Sequence, residues 1–205
     1  MRTILLILCL FMGTILSAQN NVLIEIENAN ADYKVITGYF VRTQTNVAKG
    51  TSIKADGTLY IVGEDQMAQY YKAPSTDLLI INGNDFYMIR GKKTNKFNIE
   101  KNKTMRSLRN TLLYCVHGKP MVLATENGAE ITAEKKENEY EVVLISTKKT
   151  PRGYAKIVLT YDLKSKLLTK MQMDEYNGNS TLYEMNNLKT NGNIDAKVFD
   201  IPEKK

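Results

Sequence analysis

The sequence predicts a mainly β (α+β) domain, built from a single strongly curved antiparallel sheet with one or two amphipathic helices. Most of the chain alternates apolar and polar residues with period two, which is typical of half-buried strands. Asn-Gly pairs separate several apolar runs, as expected for tight hairpins. The segment from Thr104 to Val116 has helical spacing instead. A sheet of this size must bury one face, and helices can plug its hollow if it curls without closing. An ordinary flat sheet with helices on one side is the alternative.

The predicted strands follow one another at short intervals. They lie at Val35–Val41, Leu59–Ile61, Leu78–Ile81, Phe86–Ile89, Tyr140–Ile145, Ala155–Tyr161, Leu167–Met173 and Thr181–Met185. Asn82-Gly83-Asn84 and Tyr176-Asn177-Gly178-Asn179 each join two of these runs, and Asn191-Gly192 marks a further turn. Asp56-Gly57 is expected to bound the strand at Leu59. These signals together predict a long antiparallel meander.

The predicted helix places Met105, Leu108, Leu112 and Cys115 on one face. Thr104 suits its N-cap, Gly118 suits its C-terminal end, and Pro120 cannot continue it.

Residues 21–33 give a second helical pattern, with Val22, Ile26, Ala29 and Tyr33 in one stripe. A strand beginning at Leu23–Ile26 fits the same residues, so both interpretations stay open.

The N-terminus has the pattern of an export signal. Arg2 precedes an apolar run from Ile4 to Met12, and small residues lead to Ala18. This run is shorter than the roughly 20 apolar residues that a membrane-spanning helix needs. We therefore expect residues 1–18 to be a signal peptide cleaved near Ala18, with one domain at 19–205; an uncleaved anchor is the alternative. Cys9 lies inside the apolar run, so it is expected to leave with the signal rather than to carry a lipid.

The chemistry-bearing residues argue against an enzyme and against a metal or cofactor site. The chain has one histidine, His117, and the predicted mature part keeps one cysteine, Cys115. This pair cannot supply a structural zinc site and lies on one helix end, a poor arrangement for a catalytic triad. The formal charge is +6, but the lysines are scattered over predicted turns. Solvated loops explain that pattern better than a nucleic-acid interface.

The apolar residues include many methionines and tyrosines, and there is no tryptophan. Methionine adapts its shape to varied apolar neighbours, so it suits a cavity with apolar guests. Ordinary core packing explains the same composition.

Taken in order, these segments resemble the outer-membrane lipoprotein carrier family, LolA. The N-terminal half contains GTLYIV at Gly57–Val62, QYYKAP at Gln69–Pro74 and LLIINGNDFYMI at Leu78–Ile89, followed by the predicted helix. The C-terminal half contains KIVLTYD at Lys156–Asp162, the Asn-rich hairpin segment Leu167–Asp195 and VFDIP at Val198–Pro202. The order and spacing of these segments cover nearly all of the predicted mature chain.

The resemblance implies an incomplete β-barrel closed by a helical lid, with an apolar hollow for acyl chains. It implies a periplasmic monomer that takes acylated lipoproteins from an inner-membrane ABC transporter and delivers them to an outer-membrane acceptor. Strand parity and the helix pattern predict the residues that line the hollow: Phe40, Leu59, Ile61, Met67, Leu79, Ile81, Met105, Leu108, Leu112, Leu159, Met171 and Met173. A shift of one residue in parity would turn the strand side chains to the other face.

One family feature is missing. Well-known members have an arginine before a proline at the end of the second strand, which helps to close the lid. Here that segment reads Val62-Gly63-Glu64-Asp65.

Two alternative functions stay open. The protein could be a binding protein or sensor for another lipid or glycolipid, or a structural domain without a hollow.

Overall fold

The computed structural model describes residues 21–75, 77–148 and 153–201, so the predicted signal peptide lies outside the described residues. Eleven strands are found there. They are β1 (Val35–Asn46), β2 (Thr51–Val62), β3 (Gln66–Tyr71), β4 (Leu78–Asn82), β5 (Asp85–Arg90), β6 (Lys93–Asn98), β7 (Ala129–Lys135), β8 (Glu139–Ser146), β9 (Tyr154–Asp162), β10 (Leu168–Glu175) and β11 (Ser180–Thr190).

The described residues also contain three α-helices. The described part of α1 covers residues 21–31, which decides the open question there in favour of a helix. The other two are α2 (Lys103–Val116) and α3 (Pro120–Asn127), and a short 3-10 helix follows at Ala196–Phe199. Within the described ranges, no helix combines the length and the apolar character needed to cross a membrane.

All eleven strands belong to one antiparallel sheet, in the order β6-β5-β4-β3-β2-β1-β11-β10-β9-β8-β7. The first and last halves of the chain each form a meander, and β1 pairs with β11 to join them. β6 and β7 lie at opposite edges and do not pair with each other, so the curved sheet stays open. The predicted mainly β fold with an incomplete barrel is confirmed.

The predicted hairpins are confirmed. Gly83 has a φ of +57° between β4 and β5, and Gly178 has a φ of +84° between β10 and β11. Both lie in the left-handed region that glycine adopts without steric cost. Asn191 also has a positive φ, and its Oδ1 accepts a hydrogen bond from the Lys34 backbone N–H at 2.8 Å.

The prediction that Asp56-Gly57 bounds a strand is wrong, because β2 passes straight through it. Gly57 pairs with Phe40 on β1 and with Tyr71 on β3. A Cβ at Gly57 would lie 2.1 Å from the carbonyl oxygen of Tyr70, so no larger residue fits this backbone. The rings of Phe40 and Tyr71 meet edge to face, with centroids 4.9 Å apart. Glycine therefore serves here as the close-approach point of a curved strand.

The helix boundaries differ in detail from the prediction. Asn102, not Thr104, is the N-cap of α2, and its Oδ1 accepts from the Met105 N–H at 3.1 Å. Gly118 lies just after the end of the helix, as predicted, and has a left-handed conformation with a φ of +64°. As predicted, α2 does not continue through Pro120. Pro120 instead begins α3, where its missing N–H would have had no partner in any case.

The sheet carries apolar clusters on both faces. The larger cluster lies on the concave face, where the strands pack against Val22, Leu23 and Ile26 of α1 and the C-terminal half of α2. A smaller cluster on the convex face includes Phe199 of the 3-10 helix, packed with residues of β3, β4 and β5. The helices therefore plug the hollow of the sheet.

Candidate functional site

The structure places all twelve residues predicted to line the hollow in the concave cluster. Ten of them, all on strands except Leu112, are buried, and Met105 and Leu108 of α2 are partly buried against the cluster. The predicted strand parity therefore agrees with the side-chain directions. Their role in binding acyl chains stays a prediction.

Helix α2 is anchored at one end. Its buried residues, from Thr111 to Val116, all belong to its C-terminal half. The buried Tyr161 hydroxyl on β9 donates a hydrogen bond to the Cys115 carbonyl oxygen at 2.8 Å, which gives that end of the helix a fixed partner on the sheet. Lys103, Thr104 and Ser107, in the N-terminal half, are exposed. The helix thus resembles a flap held at its C-terminal end.

Adjoining cavities lie under and beside the N-terminal half of α2. One of about 410 Å³ lies between Thr104 and Leu108 of the helix and Tyr154 and Glu175 of the sheet. A second, of about 290 Å³, also includes Tyr154 and continues along Leu144 and Ile157. A third, of about 160 Å³, shares Leu108, Tyr154 and Glu175 with the first. The cavity of about 410 Å³ has the size of a small-ligand pocket.

Four of the predicted lining residues form part of the third cavity: Leu79, Leu108, Leu112 and Met173. Deeper positions such as Leu59 and Ile61 are completely buried. An acyl chain would reach these deeper positions only after a helix moved away from the sheet. In the present conformation, the accessible apolar surface is therefore the part of the concave face near Leu108.

Polar residues that were not predicted share this third cavity, among them Arg42, Arg90, Tyr154, Glu175 and Tyr183. Arg42 lies two residues from Phe40 on β1, so the same parity argument puts both on the concave face. Strand parity was thus the signal that would have identified Arg42.

The segment that lacks the family's arginine makes a different contact with the helices. Glu64, between β2 and β3, forms an ion pair with Lys119, between α2 and α3, at 2.7 Å. The hydrogen bond and positive charge of Lys119 hold the pKa of the Glu64 carboxyl below its usual range. Both groups are partly exposed, so we expect the pair to contribute only ~0–1 kcal/mol to stability.

A stronger polar network holds α1 against the sheet. Lys166 Nζ, in the turn between β9 and β10, lies 2.9 Å from Glu25 Oε1 and 3.1 Å from the Tyr140 hydroxyl. Asn30 Nδ2 donates to the Lys166 carbonyl oxygen at 2.8 Å. Because α1 is fixed by several partners, it is a less suitable movable element than the N-terminal half of α2.

The described residues contain no cluster of three or more His, Cys, Asp or Glu side chains that could hold a metal ion. Cys115 is buried, and burial raises the pKa of its thiol, so a thiolate is disfavoured.

Comparisons with solved structures show the fold. The chain matches an uncharacterized conserved protein from Thermus thermophilus with a TM-score of 0.54 and 10% identity, covering 91% of this chain and 95% of that one. It matches a DUF1329 family protein from Desulfovibrio piger with a TM-score of 0.51 and 11% identity, covering 90% and 96%. A LolA superfamily protein from Nitrosomonas europaea matches with a TM-score of 0.45 and 9% identity, covering 90% and 98%. The search of curated proteins gives no match.

The comparison with family models identifies the family as well as the fold, because it compares the sequence itself. The model described as "Outer membrane lipoprotein carrier protein LolA" matches residues 31–202, which is most of the chain. The match begins at the last residue of α1 and includes every strand of the sheet. The chain therefore belongs to the LolA family of outer-membrane lipoprotein carrier proteins.

Proposed function

We propose that this protein is a periplasmic carrier that shields the acyl chains of lipoproteins in its apolar hollow and moves them from the inner to the outer membrane. In this proposal, an inner-membrane lipoprotein-releasing ABC transporter supplies the cargo and an outer-membrane acceptor receives it. The predicted export signal at residues 1–18 would bring the protein to the periplasm.

One observation is the main support for the proposal. The C-terminal half of α2 is anchored on a concave apolar face, while its N-terminal half overlies adjoining cavities. The Tyr161–Cys115 hydrogen bond fixes the anchored end. Leu108 lies in the N-terminal half of the helix and lines two of the cavities. This arrangement allows the helix to tilt away from the sheet without losing its attachment.

Acyl chains need a cover of this kind because their exposure to water is unfavourable. Each methylene group removed from water contributes roughly 0.8 kcal/mol, so lipid anchors with long chains need a cover while they cross an aqueous space. The helices that fill the hollow compete with the cargo for the same apolar face. Because of this competition, the net affinity is the difference between two similar burial energies, and the cargo can be released to the next protein.

A lipoprotein release assay tests the proposal. The mature protein, residues 19–205, is added to inner-membrane vesicles that contain the releasing transporter, ATP and a triacylated lipoprotein. We expect the lipoprotein to appear in the soluble fraction bound to the carrier, and a non-acylated form of the same lipoprotein to show no association.

Absence of release with all components present would contradict the proposal. If the protein instead co-purifies with free lipids and never with acylated protein, mass spectrometry of the ligands will identify the alternative function, a binding protein or sensor for another lipid or glycolipid.

A further inference from the structure

Arg42 is a charged side chain at the boundary between the apolar hollow and its polar mouth. It lies on β1, opposite Tyr183 of β11 and Ala55 of β2. It also lines the third cavity, whose apolar walls come from β4, β5, β10 and α2: Leu79, Met88, Leu108, Leu112 and Met173. A charge in contact with such a surface needs a compensating partner.

The guanidinium of Arg42 has free donors. Its central carbon lies 4.7 Å from the centre of the Tyr71 ring, within the distance of a cation–π contact. Such a contact uses the charge of the guanidinium and leaves its N–H groups able to donate hydrogen bonds. The buried Nε atom has no hydrogen-bond partner among the described residues, and no carboxylate there lies within ion-pair distance of Arg42. A buried donor without an acceptor is costly, which indicates that an acceptor binds at this point.

The other charges of the cavity do not neutralise Arg42. Arg90 forms a long, partly exposed ion pair with Asp77 at 3.9 Å. Glu175 accepts a hydrogen bond from Asn177 at 3.0 Å. Glu175 lies on β10, which is separated from β1 by β11. In the strand register, Met171 of β10 is level with Arg42 of β1, and Glu175 lies four residues further along β10. Asp77 lines a small neighbouring cavity together with Arg42 and Arg90, but among the described residues it is within ion-pair distance of Arg90 alone. The two arginines therefore share one carboxylate there, and a net positive charge remains.

We infer that Arg42 forms an anion subsite for the phosphate or carboxylate group of an acyl-bearing amphiphile whose chains enter the hollow beside Leu108. A guanidinium matches both anions through two parallel hydrogen bonds. The inference rests on the proposed function, since it uses the same hollow for the chains. It adds a requirement for a negatively charged group on the ligand, which uncharged acyl chains alone do not provide.

Calorimetric titration of the mature protein with two matched lipids tests the subsite. Dihexanoyl phosphatidic acid and dihexanoyl glycerol share their chains and differ in the phosphate. We expect the phosphatidic acid to bind roughly tenfold more tightly or better, as a charge-assisted pair predicts. Arg42→Gln should remove this difference, by lowering the affinity for phosphatidic acid to that for dihexanoyl glycerol measured with the same variant. Arg106→Gln removes one positive charge from an exposed position of α2 and should change neither affinity.

The possible outcomes separate the two proposals. Equal affinities for both lipids in the unmodified protein would overturn the anion subsite and leave the carrier function standing. Binding of neither lipid would overturn the subsite, and the lipoprotein release assay decides the carrier function separately. Inorganic phosphate serves as a third arm: if it binds as tightly as the phosphatidic acid, the source of the anion is a free ion, and the lipid headgroup is contradicted.

Discussion

Replacing Leu108 with tryptophan is expected to weaken the binding of an acyl probe while the fold stays intact. Leu108 is partly buried and lines two adjoining cavities under α2, so an indole ring at this position would occupy the space of the chain. Displacing two or three methylene groups, at about 0.8 kcal/mol each, corresponds to a Kd that is roughly 15- to 60-fold higher. Titration with a fluorescent fatty acid or a triacyl lipopeptide measures this change.

Arg106→Trp is the matched control, because it introduces the same side chain into the same helix at an exposed position. We expect the control to bind the probe with nearly unchanged affinity, and both variants to unfold at similar urea concentrations. If Leu108→Trp binds as well as the unmodified protein, the cavities under α2 are not the acyl site. If both variants lose affinity equally, the effect belongs to the helix as a whole.

Replacing Gly57 with alanine is expected to cause a large loss of stability. The added Cβ would lie 2.1 Å from the Tyr70 carbonyl oxygen, 2.8 Å from the Tyr70 carbonyl carbon and 3.0 Å from the Phe40 ring. Two of these atoms are backbone, so they cannot rotate away as a flexible side chain would. Overpacking of this kind typically costs 1–3 kcal/mol and occasionally more, and we expect about 3 kcal/mol here. Urea unfolding followed by circular dichroism measures the free energy of unfolding.

Gly192→Ala is the appropriate comparison, because nothing lies within 4 Å of the position that its Cβ would take. We expect it to change the free energy of unfolding by less than about 0.5 kcal/mol, as surface substitutions usually do. A Gly57→Ala protein as stable as Gly192→Ala would show that β2 does not need its close approach to β3.

Strands with long apolar runs could be predicted from the sequence, while the two edge strands could not. β4 and β5 have apolar runs separated by Asn82-Gly83-Asn84, and both are largely buried. β6 reads KTNKFN and has no fully buried residue, while β7 reads AEITAEK and buries only Ala133; these two strands form the open edges of the sheet. Because they contain few large apolar residues, their hydrophobic alternation is weak, and periodicity does not distinguish them from loops.

The Asp56-Gly57 error has a related cause. A glycine after an aspartate is typical of a turn, yet here the missing side chain allows β2 and β3 to come close while Phe40 packs against Tyr71. A glycine in a turn and a glycine at a close approach of two strands have the same local sequence. The two roles differ only in contacts with residues that are distant along the chain, and a local pattern contains no information about those contacts.

The sequence predicted which face of the sheet carries the candidate site, but not how much of that face is accessible. Parity placed Phe40 and Met173 on the concave face, where the structure has them. It could not show that the C-terminal half of α2 covers the deep part of that face and leaves the region near Leu108 accessible. That division depends on where the Tyr161 hydroxyl holds the helix, which is a tertiary contact.

Photo-crosslinking with a triacyl lipopeptide that carries a diazirine in one acyl chain tests most directly whether the concave face holds the cargo. After irradiation and proteolysis, we expect labels on concave residues of α2 and β10, above all Leu108 and Met173. Tyr39 provides an internal reference, because it is exposed and adjacent to the buried Phe40 on β1. Labels concentrated on Tyr39 and other convex positions, or absent from the protein altogether, would contradict an acyl-binding hollow beneath α2.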